Sequence, residues 1–181
     1  RPGEPRPGFG HPHRRTGRGP GRPAPAPGSR DRPGGPRAIG ARSLPEPGSE
    51  LAPGAYNAIH TCLRLKPEER VTLITDRETL EIAAALVREI ESTGARQHTF
   101  VLEDFAPRPL AYMPKEVLDD LELSQVSIFA AQAHQGELPS RIAMTSVINR
   151  KRIRHAHMVN IDRQCMVEGM RADFLEVDAL S

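Results

Sequence analysis

The chain lacks the long apolar runs of membrane proteins and the many cysteines of disulfide-stabilised proteins. Its 181 residues include no tryptophan and two cysteines, and no apolar run approaches the length of a membrane span. Cys62 and Cys165 lie far apart in sequence, which favours a reduced, cytoplasmic setting over a disulfide framework. We therefore expect no membrane partner.

Motifs for common cofactors and nucleophiles are also missing. The first predicted strand runs into Thr-Asp-Arg-Glu-Thr, without a glycine that would admit a pyrophosphate against a helix N-terminus. A Walker-type loop and a Gly-x-Ser-x-Gly nucleophile elbow are absent too. These absences remove the main support for NAD, ATP and serine-hydrolase functions, and we predict no cofactor for these residues.

Proline, glycine and arginine are concentrated at the start of the chain. Residues 1–54 hold 13 of the 18 prolines, 12 of the 15 glycines and ten arginines, with a net charge of +6. Residues 55–181 carry a net charge of −4. Because the basic balance belongs to the first segment, we do not expect the second to bind nucleic acid.

Residues 1–54 are predicted to be a disordered tail, because so few apolar side chains cannot offset the entropy cost of ordering. Arg14–Arg22 has the arginine and glycine content of an RNA-binding arm, and arginine richness is also found in targeting peptides. The interpretation we favour is that residues 1–54 are not native coding sequence, since Pro, Gly, Arg and Ala all have GC-rich codons.

Residues 55–181 alternate predicted strands and helices. We expect strands at 70–76, 97–103, 125–132 and 157–162. We expect helices at 56–65, from the end of the first strand to about 93, at 115–123 and at 139–154. A Thr75–Glu78 capping box would open the second helix, and Gly94 would end it. This alternation predicts an α/β fold, Rossmann-like or flavodoxin-like, with a parallel sheet and helices on both faces.

The carboxyl ends of the predicted strands carry polar side chains. In order along the chain these are Asp76, Glu103, Asp104, His134 and Asp162. Because ligands of open parallel sheets bind at this edge, these residues are a candidate site for a cation or an amino group. The alternative for the first and last of them is a helix N-cap, where aspartate is common.

His155-Ala156-His157 is a candidate metal-binding pair. Residues two apart on a strand point to the same side, so both imidazoles would meet one ion. Two ligands do not complete a site, and the alternative is a polar edge whose histidines bond backbone carbonyls.

Arg150, Lys151, Arg152 and Arg154 are predicted to lie at the end of the fourth helix. Positive charge is stabilised there by the helix dipole. The alternative is a docking face for an acidic partner.

Several segments read as blocks rather than as isolated residues. They are Leu-Lys-Pro-Glu-Glu leading into a strand at 65–71, the stretch 145–149, Met-Val-Asn-Ile-Asp at 158–162, and the closing MxxGMRADFLEVDAL at 166–180. Together they resemble the N-terminal half of the thermophilic-type metallo-aminopeptidase family, that of aminopeptidase T and its leucyl aminopeptidase-like relatives. The resemblance covers about residues 56–181.

The resemblance implies that residues 55–181 are a non-catalytic N-terminal domain, truncated at its C-terminal end. Relatives release N-terminal amino acids from peptides with two divalent metals, zinc or cobalt. Their carboxylate, histidine and tyrosine ligands lie in the C-terminal half, and none maps onto this sequence. We therefore expect the chain to be inactive alone and to meet a peptide substrate only with that half. Dimers in the family imply a homodimer. The alternative is a stand-alone α/β domain that binds a small ligand at the acidic carboxyl edge.

Overall fold

Four parallel strands form the centre of the fold. The structure is a computed structural model and describes residues 44–171. The strands are β1 (Arg70–Thr75), β2 (Arg96–Val101), β3 (Val126–Ala131) and β4 (Arg154–Val159), in the order β2-β1-β3-β4. This is the order of the first four strands of a flavodoxin-like sheet, with its switch point between β1 and β3. The predicted α/β fold is confirmed.

Helices cover both faces of the sheet. They are α1 (Ala52–Tyr56), α2 (Leu80–Thr93), α3 (Lys115–Leu121), α4 (Leu138–Lys151) and α5 (Arg163–Val167). One core joins α1, α2 and α5 to inward-facing residues such as Leu73 and Ile128. The other joins α3 and α4 to residues such as Ile74 and Phe129. β1 and β3 are buried on both faces because helices cover both faces of the sheet.

The predicted tail falls largely outside the described residues, but its boundary at residue 54 is wrong. A 3-10 turn at Ser49–Leu51 leads into α1, which continues as a π-helical segment, Asn57–Cys62. Leu51 is fully buried in the first core. The ordered domain therefore includes residues that composition assigned to the tail.

The predicted capping box at Thr75 is also wrong. Thr75 is the last residue of β1 and pairs with Val101 of β2 and Ala130 of β3. The N-cap of α2 is Thr79, and the helix begins at Leu80. At its other end Gly94 adopts φ +83°, the left-handed conformation that the predicted helix stop requires.

The chain between α4 and β4 differs from the prediction by a few residues. Helix α4 ends at Lys151, Arg152 turns with φ +55°, and β4 begins at Arg154. Arg154 therefore lies on a strand rather than at a helix end, and it donates to Glu69 at 2.5 Å. No helix within residues 44–171 is long and apolar enough to cross a membrane.

Candidate functional site at the carboxyl edge of the sheet

Asp76 joins the ends of the two central strands. It follows β1, and its side chain is 1% exposed. Oδ1 accepts hydrogen bonds from the Thr79 N–H at 2.9 Å and the Thr79 hydroxyl at 2.8 Å. Oδ2 accepts one from the Gln132 N–H at 2.5 Å. Asp76 therefore closes the turn after β1 and holds the first residue beyond β3.

Arg108 brings its charge to the same point from the loop before α3. Its side chain is 5% exposed. Nη1 donates to Asp76 at 3.2 Å and to Glu103 at 3.5 Å, and Nη2 donates to the Gln132 carbonyl at 2.7 Å. Nη2 and Nε both donate to the two carboxylate oxygens of Glu137, a fork that matches the planar guanidinium. The guanidinium is thus held by three acids and one carbonyl.

Glu137 is the buried counterpart of Arg108. Its side chain is 3% exposed, and it also accepts the Leu110 N–H at 2.8 Å. Burial opposes ionisation, but the hydrogen bonds and charge of Arg108 outweigh it and hold the pKa of Glu137 below its usual range. Glu137 is therefore an ionised, fully engaged carboxylate.

The predicted edge residues do not form one cluster. Glu103 shares Arg108 with Asp76, and its other oxygen accepts the Arg77 N–H at 3.1 Å. Asp104 pairs instead with the Arg77 guanidinium at 3.3 Å. His134 lies in the loop before α4, where its carbonyl accepts the Glu137 N–H at 3.2 Å.

Asp162 is the N-cap of α5, the alternative that the sequence offered for it. Its Oδ1 accepts the Cys165 N–H at 2.7 Å, and this bond lowers the pKa of the exposed carboxyl. Among the described residues, no three histidine, cysteine or acidic side chains are placed to hold a metal ion together.

Arg108 and Glu137 were missed by sequence reasoning. The only signal was Arg108 itself, an arginine in a loop broken by prolines, near strands whose carboxyl ends carry acidic residues. Pairing across 32 residues to Asp76 and 29 to Glu137 depends on strand order, which spacing does not reveal.

The histidine pair lies on β4, and the two imidazoles share one side as predicted. His155 Nε2 and His157 Nδ1 are 3.0 Å apart, and His155 Nδ1 lies 2.8 Å from the Ser127 hydroxyl. Burial, with a smaller contribution from His157, lowers the pKa of His155 to about 4. Burial and the charge of Arg141 lower the pKa of His157 as well. Both rings are therefore neutral at pH 7.

A third polar cluster lies at the amino ends of β1 and β2. The Asp120 carboxylate is buried and accepts the Thr72 hydroxyl at 2.6 Å. It also contacts His98 Nδ1 at 2.8 Å and pairs with Arg70. The cluster ties α3 to the sheet at the edge opposite to the one where ligands of this fold bind.

No protein-family model and no curated protein matches the chain.

Proposed function

We propose that the α/β domain of this chain is the N-terminal, non-catalytic domain of a metal-dependent aminopeptidase-like protein. The observation that carries the proposal is the Arg108 network at the switch point between β1 and β3. In this fold class that crevice is where ligands bind, and here a buried guanidinium occupies it. The α/β sheet is also the architecture that the sequence resemblance implies.

The charges of the network support a structural role. One guanidinium faces the three carboxylates of Asp76, Glu103 and Glu137. An incoming phosphate would meet excess negative charge, and a cation would compete with Arg108 for carboxylates that are already engaged. We therefore expect that neither a nucleotide nor a metal ion binds tightly enough to displace the Arg108 side chain that closes the crevice.

The chemistry would then reside in a second, metal-binding half. Two zinc or cobalt ions there would polarise the scissile carbonyl and supply hydroxide, and the peptide substrate would bind beside them. In this proposal the α/β domain is a rigid support for that half, and the chain alone is inactive. Self-association into a homodimer, implied by the resemblance, stays a prediction.

Sequencing the transcript beyond the Ser181 codon tests the proposal. We expect the reading frame to continue into a segment with glutamate, aspartate, histidine and tyrosine ligands. A stop codon directly after Ser181 in the transcript would contradict the proposal for this product.

The alternative, a stand-alone domain that binds a small ligand at the acidic edge, predicts a different result. A divalent cation or an amino acid added to the chain would have to displace Arg108 from Asp76, since both side chains are buried. The Gln132 N–H, which donates to Asp76, reports this displacement in NMR spectra. A saturable shift of that resonance favours the alternative, and an unchanged resonance opposes it.

A further inference from the structure

The two histidines of β4 lie on an edge strand of the described sheet. Within residues 44–171, β4 has a neighbour on one side only, β3. His157 is exposed and His155 is partly buried. Their facing nitrogens, Nε2 of His155 and Nδ1 of His157, lie 3.0 Å apart. We propose that this pair binds a divalent transition-metal ion, copper, nickel or zinc, with water at the remaining coordination positions.

The spacing of the two nitrogens suits one metal ion. Metal–imidazole bonds of about 2.0–2.1 Å place two nitrogens about 2.8–3.0 Å apart in neighbouring square-planar positions and about 3.3–3.4 Å apart in tetrahedral ones. The observed 3.0 Å lies at the upper end of the first range. The two nitrogens therefore need little change in their separation to bind one ion, although the rings must turn from facing each other toward the metal.

Both rings are positioned by neighbours on β3. The fully buried Ser127 hydroxyl contacts His155 Nδ1 at 2.8 Å, which leaves Nε2 directed at His157. The His157 ring stacks on Phe129 with centroids 5.5 Å apart and an interplanar angle of 19°. Hydrogen bonds to the second ring nitrogen are how proteins orient metal-binding histidines. The pair is thus preorganised before a metal arrives.

The protonation state also suits metal binding, because a ligating imidazole must be neutral. In the free pair one N–H···N proton lies between His155 Nε2 and His157 Nδ1, and metal binding moves it to the outer nitrogen, Nε2, of His157. Binding therefore competes with one N–H···N hydrogen bond rather than with two positive charges.

Arg141 of α4 is the charge that opposes the site. After burial, which is the larger cause, the positive charge of its guanidinium also lowers the pKa of His157. Arg141 also lines, with Thr145, a small cavity of about 150 Å³ beside His157.

Isothermal titration calorimetry with CuCl₂, NiCl₂ and ZnCl₂ tests the site. The full chain carries the double substitution His11→Ala/His13→Ala, because the first segment contains a second His-x-His pair. We expect one bound ion per chain, with copper bound most tightly. His157→Ala should weaken binding at least tenfold. His134→Ala, which removes a histidine outside the pair, should leave it unchanged.

Two further variants separate a built site from a surface histidine. Ser127→Ala should weaken binding about 10- to 100-fold, the usual effect of losing a partner of a metal ligand, and Ser127→Thr should restore it. Arg141→Leu should strengthen binding, because it removes the opposing charge. Circular dichroism confirms that each variant is folded. Equal affinity of the parent and His157→Ala, or no bound ion at all, would overturn the proposal.

Discussion

Replacing Arg108 with methionine should cost more stability than any other single charge deletion in the domain. Methionine keeps the apolar stem but removes the guanidinium that pairs with Asp76 and Glu137, whose side chains are 1% and 3% exposed. Both carboxylates would stay buried without a countercharge, and the Gln132 carbonyl would lose its donor. The perturbation thus tests whether the network closes the switch-point crevice.

The magnitude follows from the burial of the pair. Breaking a buried ion pair by removing one partner costs about 3–5 kcal/mol, because a buried charge is left uncompensated. A domain of this size has a free energy of unfolding of about 5–15 kcal/mol. We therefore expect Arg108→Met to lose about 3–5 kcal/mol of its free energy of unfolding.

Urea unfolding followed by circular dichroism at pH 7.5 measures this loss. The matched control is Arg77→Met, which removes an arginine of the same edge that is 67% exposed and paired with Asp104 at 3.3 Å. An exposed pair of this kind is worth less than about 1 kcal/mol. A loss below about 1 kcal/mol for Arg108→Met as well would refute the reasoning.

Acid provides an internal check on the cause. In the parent, the pKa of Glu137 is depressed, so its contribution is present above the unfolded pKa and is lost as pH falls through the folded pKa. In Arg108→Met, Glu137 loses the hydrogen bonds and charge that depress its pKa while burial still raises it, so it takes up a proton at higher pH. The difference in unfolding free energy between the two proteins should shrink from pH 7.5 to about pH 4.5. A difference in unfolding free energy that does not change with pH would mean that the loss comes from packing and not from charge.

Three further predictions concern other parts of the fold. Gly94→Ala should cost about 1–2 kcal/mol in urea unfolding, because alanine is strained at φ +83°, and no loss would contradict the assigned conformation. Asp120→Ala should cost about 2–4 kcal/mol, since the buried Thr72 hydroxyl and Arg70 lose this acceptor. The control Asp119→Ala removes an exposed neighbouring carboxylate and should change stability by at most about 0.5 kcal/mol. Equal losses for the two variants would contradict the role of the Asp120 cluster. Burial lowers the pKa of His155 from an ordinary 6.5 to about 4. The stability that depends on a neutral His155 is therefore fully present above pH 6.5 and is lost as pH falls toward 4. The parent should therefore lose about 1–2 kcal/mol between pH 7.5 and pH 5 that His155→Asn does not lose. Parallel pH profiles would show that folding does not lower the pKa of His155.

The strands were predictable because their signals are local. Val71–Thr75 and Val126–Ala131 are β-branched or apolar runs long enough for a strand buried on both faces. Gly94 is equally local, since a left-handed turn favours glycine whatever the rest of the fold does. Thr75 misled because its spacing to Glu78 fits a capping box, while ladder pairing to two neighbouring strands decides its conformation.

The candidate sites divide in the same way. His155 and His157 are two residues apart on one strand, so their meeting follows from the period of the backbone. Asp76 was predicted as an edge residue, but its partner Arg108 lies 32 residues away in a loop without regular structure. Contacts of that kind depend on strand order and loop path, which no spacing rule supplies.

Release of p-nitroaniline from leucine p-nitroanilide, with zinc or cobalt added, tests the proposed role most directly. The assay compares this chain with a longer product that continues past Ser181, which the proposal expects. We predict release by the longer product and none above the metal-only blank by the chain itself. Saturable release by the chain alone, lost in Asp76→Asn, would show that these residues carry chemistry and would contradict the account.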